Sequence, residues 1–184
     1  GRRAMAENKF TKYIKPSLVL CIICFVMCFL IVAVHKLTYV DTTGIITDSV
    51  RTELDAMIGD SSDCVILPDI EAEGVNSVIV DKKKHFCAFE ITVNGYAKDG
   101  LNVLVGIKNG EIIGVKVLSC KETEGVGTIV TEDIYLSQFI GVDSPDFSAD
   151  IVSGATFSSE GMINAISIAM NTYNERKGDI FSGN

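Results

Sequence analysis

Histidine is nearly absent from this chain, with two in 184 residues, His35 and His85. A serine or cysteine hydrolase needs an imidazole beside its nucleophile, so that chemistry is disfavoured. His85 follows Lys82–Lys84, where a solvated strand end is the simpler expectation than a ligand or base. No His-Glu-x-x-His pair occurs, no Gly-x-Gly-x-x-Gly opens a helix after a strand, and no P-loop is present. Beyond residue 40 there is no Cys-x-x-Cys spacing, and the three cysteines there, Cys64, Cys87 and Cys120, allow at most one internal disulfide. Internal repeats and low-complexity tracts are missing as well. Basic charge is scarce: the net charge is −8. A nucleic-acid binder needs a cationic face to displace counterions, and no nucleic-acid partner is expected.

The few basic residues are unevenly spread. Residues 1–40 carry Arg2, Arg3, Lys9, Lys12, Lys15 and Lys36 against Glu7 alone, a balance of +5. Residues 41–184 carry ten basic and 23 acidic residues, a balance of −13. Between the two lies LVLCIICFVMCFLIVAV, Leu18 to Val34, 17 residues without a charge. As a helix it would reach roughly 25 Å, a little short of the ~30 Å hydrocarbon core of a bilayer. Tyr13, Lys15, Lys36 and Tyr39 can anchor its ends at the interfaces and close the gap. A cleaved signal peptide would have a shorter apolar run and a small-x-small site, which HKLTYVDTTG lacks. The expected organisation is a cytoplasmic basic leader at 1–16, a transmembrane helix at 17–40 and an extracytoplasmic domain at 41–184. The positive-inside rule sets that orientation. Cys21, Cys24 and Cys28 share one helical face inside the span, where small apolar thiols suit packing against other helices better than metal binding.

In the outer domain, Thr47–Ile58 reads as an amphipathic helix with Val50, Leu54, Met57 and Ile58 on one side, Asp48 as its cap and Gly59 as its stop. GDSSDCVILPDIEAEG is expected to loop around a short strand. Strands follow at Phe86–Val93, Leu101–Ile107 and Glu111–Leu118. Asn94-Gly95 and Asp99-Gly100 punctuate the first gap, and Lys108-Asn109-Gly110-Glu111 is a two-residue hairpin. Thr131–Ile140 reads as a short helix presenting Ile134, Phe139 and Ile140. Asp150–Val152 reads as a short strand, and Ser158 to Arg176 as a long helix with Met162, Ile163, Ile166, Ala169, Met170 and Tyr173 along one side. Hairpin strands and helices mix without βαβ alternation, so the fold class is α+β, an antiparallel meander with helices.

Two stretches have the physics to hold a phosphorylated planar ligand. Asp150-Ile-Val-Ser-Gly-Ala-Thr156 leads into the long helix, whose first turn offers free N–H groups and a positive dipole end to a phosphate. Gly154 and Ala155 permit close approach, and Ser153, Ser158 and Ser159 add hydroxyls. Glu122-Thr-Glu-Gly-Val-Gly127-Thr128 can lay flat backbone against an aromatic ring. Either stretch alone could be an ordinary turn.

Taken together they resemble the FMN-binding domain family. DIVSGATFSS is similar to that family's Asp-x-x-Ser/Thr-Gly-Ala-Thr pattern, and ETEGVG to its ETPGLG loop, with Glu124 in place of Pro and Val126 in place of Leu. VNGYAKDGLNVLVGIKNGEIIGVKVL resembles its strands. Within the family the likeness is to the Rnf-type G subunits of ion-translocating ferredoxin:NAD oxidoreductases. C subunits of Na+-translocating NADH:quinone reductases, usually longer, and flavinylated membrane-bound regulators are the alternatives.

The resemblance implies FMN joined to Thr156 as a phosphoester, with Ser153, Gly154 and Ala155 beside it. Glu122, Thr123, Val126, Gly127 and Thr128 would serve the isoalloxazine, and Asp150 would serve recognition by a flavin transferase that uses FAD. It implies no acid, base or nucleophile for the redox step and no metal, because the flavin carries that chemistry. Acidic Glu122 and Glu124 near the ring would lower its potential. The implied setting is a bacterial cell membrane, with the lipid bilayer and other integral membrane subunits as partners. Protease added to sealed inside-out vesicles is expected to leave residues 41–184 intact; digestion of that domain overturns the orientation.

Overall fold

The computed structural model describes residues 17–34, 46–68, 70 and 72–182. The chain divides into two units, residues 1–41 and 42–184. In the first, Ser17–Val34 forms helix α1, whose 18 residues are long and apolar enough to cross a membrane. Its length of roughly 27 Å at 1.5 Å per residue approaches the hydrocarbon thickness. Cys21, Cys24 and Cys28 are exposed along it. The leader 1–16, His35 and the proposed anchors Tyr13, Lys15, Lys36 and Tyr39 lie outside the described residues.

The second unit is built on one antiparallel sheet of five strands in sequence order: β1 Val65–Leu67, β2 Val75–Asp81, β3 Phe86–Val93, β4 Leu101–Lys108 and β5 Glu111–Cys120. The hairpin at Asn109-Gly110 closes β4 on β5 with both central residues at positive φ, 54° and 93°, as the strand twist requires. The strand β2 escapes the sequence reading. Its second half buries Val78, Ile79, Val80 and Asp81 consecutively, because both faces of the sheet are covered and alternation is lost. Val78 and Val80 join the larger core, Ile79 the smaller one on the other face.

Helix α2, Asp48–Ile58, covers that smaller face with Val50 and Leu54. Its cap position is Thr47, so Asp48 is the first helical residue rather than the cap; its carboxylate still suits the positive end of the helix. Gly59 ends the helix at φ 82°, as expected. Met57 reaches a notch left by two paired glycines. A Cβ on Gly106 would lie 2.7 Å from Met57 Sδ, and one on Gly114 2.7 Å from Met57 Cγ. The Lys84 ammonium donates to the Ile58 and Asp60 carbonyls at the end of α2, and Asp81 accepts the Lys83 and Lys84 N–H groups at 2.9 and 3.1 Å. Burial, with the Asp81 carboxylate adding to it, pushes the Cys64 thiol up to about 11, and burial raises Cys87 as well. Cys64, Cys87 and Cys120 are all free thiols.

The other face of the sheet carries helix α4, Thr156–Ser182, which buries Met162, Ala165, Ile166, Ala169 and Met170. It starts two residues earlier than the sequence suggests and runs six further, past Gly178. Ile180 is fully buried there and Phe181 packs on Tyr173 and His85, so apolar anchoring outweighs the glycine. The expected helix over Thr131–Ile140 is instead helix α3 at Asp133–Leu136 and a 3-10 turn at Ser137–Phe139, preceded by a 3-10 turn at Gly127–Thr131. Thr131, Ser137 and Gln138 side chains donate to the Thr128, Ile134 and Tyr135 carbonyls and compete with a regular ladder. Tyr135, Leu136 and Phe139 face the core, whereas Ile134 is 85% exposed. Asp150–Val152 is not a strand. Its N–H groups at Asp150 and Val152 donate to the Gln138 side chain at 2.7 Å and to Ser159 Oγ at 3.1 Å, so side chains replace a neighbouring strand.

At Gly161, α4 presses on the loop after β3: a Cβ there would lie 2.5 Å from the Asn94 carbonyl oxygen. Alanine in a helix gains about 1 kcal/mol over glycine, but overpacking costs about 1–3 kcal/mol, and here the obstacle is backbone. Gly161→Ala is therefore expected to lower the urea midpoint of the detergent-solubilised chain. Gly178→Ala, where a Cβ meets nothing within 4 Å, should raise it. The reverse order would refute this account of the contact.

Candidate functional site

A cleft of about 130 Å³ opens where three segments meet: the 94–100 loop after β3, the 121–128 loop after β5 and the start of α4. Its lining includes Tyr96, Glu122, Thr123, Val126, Gly127, Gly154, Ala155, Thr156, Phe157 and Ser158. Seven of the residues assigned to the cofactor from the sequence thus converge on one space, though Glu122 and Thr156 lie 34 positions apart.

Glu122 organises the floor. It is 8% exposed, and its carboxylate accepts the Tyr96 N–H at 2.9 Å, the Ala97 N–H at 3.2 Å and the Ser158 hydroxyl. A buried carboxylate is costly unless its lone pairs are met, and here three donors meet them. The surrounding glycines leave the room: a Cβ on Gly95 or Gly100 would strike the Glu122 carboxylate oxygen at 2.7 or 2.1 Å. One on Gly127 would fall 2.8 Å from Ser158 Oγ. The 121–128 loop winds around a single acceptor, the Thr123 carbonyl, which receives the N–H groups of Val126, Gly127 and Thr128 at 3.2, 2.9 and 3.3 Å. Thr128 does not line the cleft. Its hydroxyl accepts the Gly125 N–H at 2.9 Å and closes the loop, with Gly125 at φ 75°.

Thr156 is the first residue of α4 and is exposed, so its hydroxyl stands at the helix's positive end, where first-turn N–H groups lack partners one turn back. Gly154 before it adopts φ 86° with open space around its Cβ position. Ser153, next to Gly154, and Asp150 are exposed, and neither lines the cleft. Ser158 and Ser159 are not free hydroxyls, being 2% and 0% exposed. The first is spent on Glu122 and the second on the Val152 N–H. Glu124 is exposed and outside the lining, so only Glu122 of the two acids reaches the cleft, with its lone pairs already engaged. Tyr96 and Phe157 escape the sequence reading. The available signal is a tyrosine between two Gly turns and a phenylalanine in an otherwise polar helix start.

Residues 95–171 match the FMN-binding domain family, which bears out the resemblance carried by DIVSGATFSS and ETEGVG. That stretch takes in every residue lining the cleft. Three proteins, each named as the G subunit of an ion-translocating oxidoreductase complex, are similar to the chain. The Vibrio parahaemolyticus protein is 33% identical over 113 residues, 50% of this chain and 53% of its own length. The Methanosarcina acetivorans protein is 27% identical over 109 residues, 54% and 58% of the two lengths. The Shewanella baltica protein is 28% identical over 148 residues, 66% and 68%. The chain thus spans about half the length of the first two.

The residues present fit FMN. An exposed hydroxyl at a helix N-terminus suits a phosphate ester, and a glycine-lined wall admits a flat ring. Ligand pockets usually measure about 300–1,000 Å³, so a group of this size in the smaller cleft keeps one side in water. Glu122→Gln replaces one acceptor oxygen by a donor and leaves an N–H or hydroxyl facing it. The expected cost is about 1–3 kcal/mol, read as a lower urea midpoint. An unchanged midpoint would show that the carboxylate does not hold the loops together.

Proposed function

We propose that this chain is an electron-transfer subunit carrying FMN as a phosphoester on Thr156. Held by a single span, it would sit in a membrane complex of Rnf type that couples ferredoxin:NAD electron transfer to translocation of Na+ or H+. The observation that carries the reading is the position of Thr156. It is the exposed first residue of α4, in the same cleft as the Glu122–Gly127 loop. The helix end stabilises a phosphodiester charge by roughly 0.3–1 kcal/mol, and more where partly buried. FMN supplies the redox chemistry when bound.

The chain's own residues hold and orient it. Gly154 and Ala155 let the phosphate approach the backbone, Thr123, Val126 and Gly127 form the wall for the ring, and Glu122 fixes that wall against α4. Asp150 and Ser153, both exposed, are available to the flavin transferase that installs the group from FAD. The shallow cleft leaves a bound ring open to redox partners, as suits a carrier more than an enzyme acting alone. The basic leader and α1 support an anchor with its N-terminus in the cytoplasm and the flavin domain outside. Covalent retention has a use there, because lost cofactor could not be replaced. Other integral membrane subunits would pack on the Cys21/Cys24/Cys28 face.

Thr156→Ala removes the acceptor oxygen at an exposed position. Made with an active flavin transferase, it should lose the added FMN mass and the in-gel flavin fluorescence while keeping its far-UV circular dichroism. Thr156→Ser should retain part of both. Full flavin on Thr156→Ala would move the attachment elsewhere, and with Ser158 and Ser159 buried, Ser153 would be the next candidate. An unmutated chain that gains no mass would end the carrier reading.

A further inference from the structure

Aromatic side chains each bury about 150–250 Å² when they can, and their exposure on a folded surface calls for a reason. Tyr96 is 74% exposed and Phe157 63%, and both line the cleft that contains Thr156. Val126, 43% exposed, is a third apolar side chain at the same mouth. The two rings are 6.4 Å apart at 56°, so they touch without stacking and each retains a free face. Their backbones are also held. The Tyr96 N–H is fixed on Glu122, and Phe157 follows the first residue of α4. An anion-favouring helix end next to two preset, solvent-facing rings matches the two halves of one ligand, a phosphate and a planar aromatic system.

We infer that Tyr96 and Phe157 form the seat of the isoalloxazine ring tethered at Thr156. This inference rests on the proposed flavinylation. The phosphoester pins one end of the ligand beside Phe157, and the ring folds back over the aromatic rim rather than extending into solvent. Holding the ring there limits the orientations from which electrons can enter or leave.

The test uses the full chain in detergent, flavinylated by the transferase, with mass establishing one FMN per chain. A phenol in contact with flavin quenches its emission, which a benzene ring does not. Wild-type emission should lie well below that of the same sample unfolded in guanidinium. Tyr96→Phe should raise it several-fold while the visible circular dichroism of the flavin persists. Combining Tyr96→Ala with Phe157→Ala should abolish most of that dichroism, with far-UV dichroism and flavin mass unchanged. Unaltered emission in Tyr96→Phe, or unaltered visible dichroism in the double variant, overturns the seat and assigns the exposed rings to a protein partner instead. Absence of FMN mass on the unmutated chain overturns the flavinylation reading and this inference with it.

Discussion

The Glu122 carboxylate, almost removed from water, receives two N–H groups from the loop after β3 and one hydroxyl from the first turn of α4. Its donors stand 26, 25 and 36 residues away in sequence, so one side chain ties three distant segments into a single wall. Charge-assisted bonds of this kind are worth about 1.5–3 kcal/mol each, and the group cannot be buried without them. Gly95, Gly100 and Gly127 answer the same shortage of space, since a methyl group on any of them would occupy the volume the carboxylate and Ser158 need. The turn at Gly154–Thr156 is placed indirectly, through α4. Its other supports are Gln138 and Ser159, which satisfy the Asp150 and Val152 N–H groups.

Much of the fold is legible in the sequence where a pattern has one cause. The β3–β5 meander follows from strand-like apolar runs set off by turn pairs, above all Asn109-Gly110, which accepts positive φ at both positions. The strand β2 is harder to read because Lys82–His85, with no Asn-Gly or Asp-Gly pair, makes the turn after it. Between α2 on one side and α4 on the other, Val78, Ile79 and Val80 are all buried and leave no period to read. The stretch 131–140 misleads because its apolar content suggests one helix, while Thr131, Ser137 and Gln138 bond locally to the backbone and break it into pieces. The end of α4 misleads because Gly178 looks like a stop, and burial of Ile180 overrides it.

For the cleft, the small-residue turn and the glycine loop are visible in sequence because their glycines meet local demands, a positive φ at Gly125 and Gly154 and no room for a Cβ at Gly127 beside Glu122 and Ser158. The roles inside them are less visible. Ser158 and Thr128 look like ligand donors and turn out to serve the protein, one on Glu122 and the other on Gly125. Glu122 looks like an electrostatic neighbour of a ligand and is first a structural acceptor. Whether a hydroxyl or carboxylate has a lone pair to spare depends on partners far along the chain, and no local pattern encodes that. Tyr96 and Phe157 are hidden for a related reason, since exposure of an aromatic ring is a property of the fold alone.

On the opposite face of the sheet, Met57 fills the notch between Gly106 and Gly114 and fastens α2 over Phe86, Ala88 and Leu104. The thioether fits because it is narrow and apolar, and its residue is only half-buried, within reach of small oxidants. A sulfoxide would bring a polar oxygen into a hollow defined by missing side chains. Chemical ageing of this domain would then begin as loosening of α2, on a surface that shares no side chain with the cleft, so a damaged molecule could lose its outer layer while the cleft stayed intact.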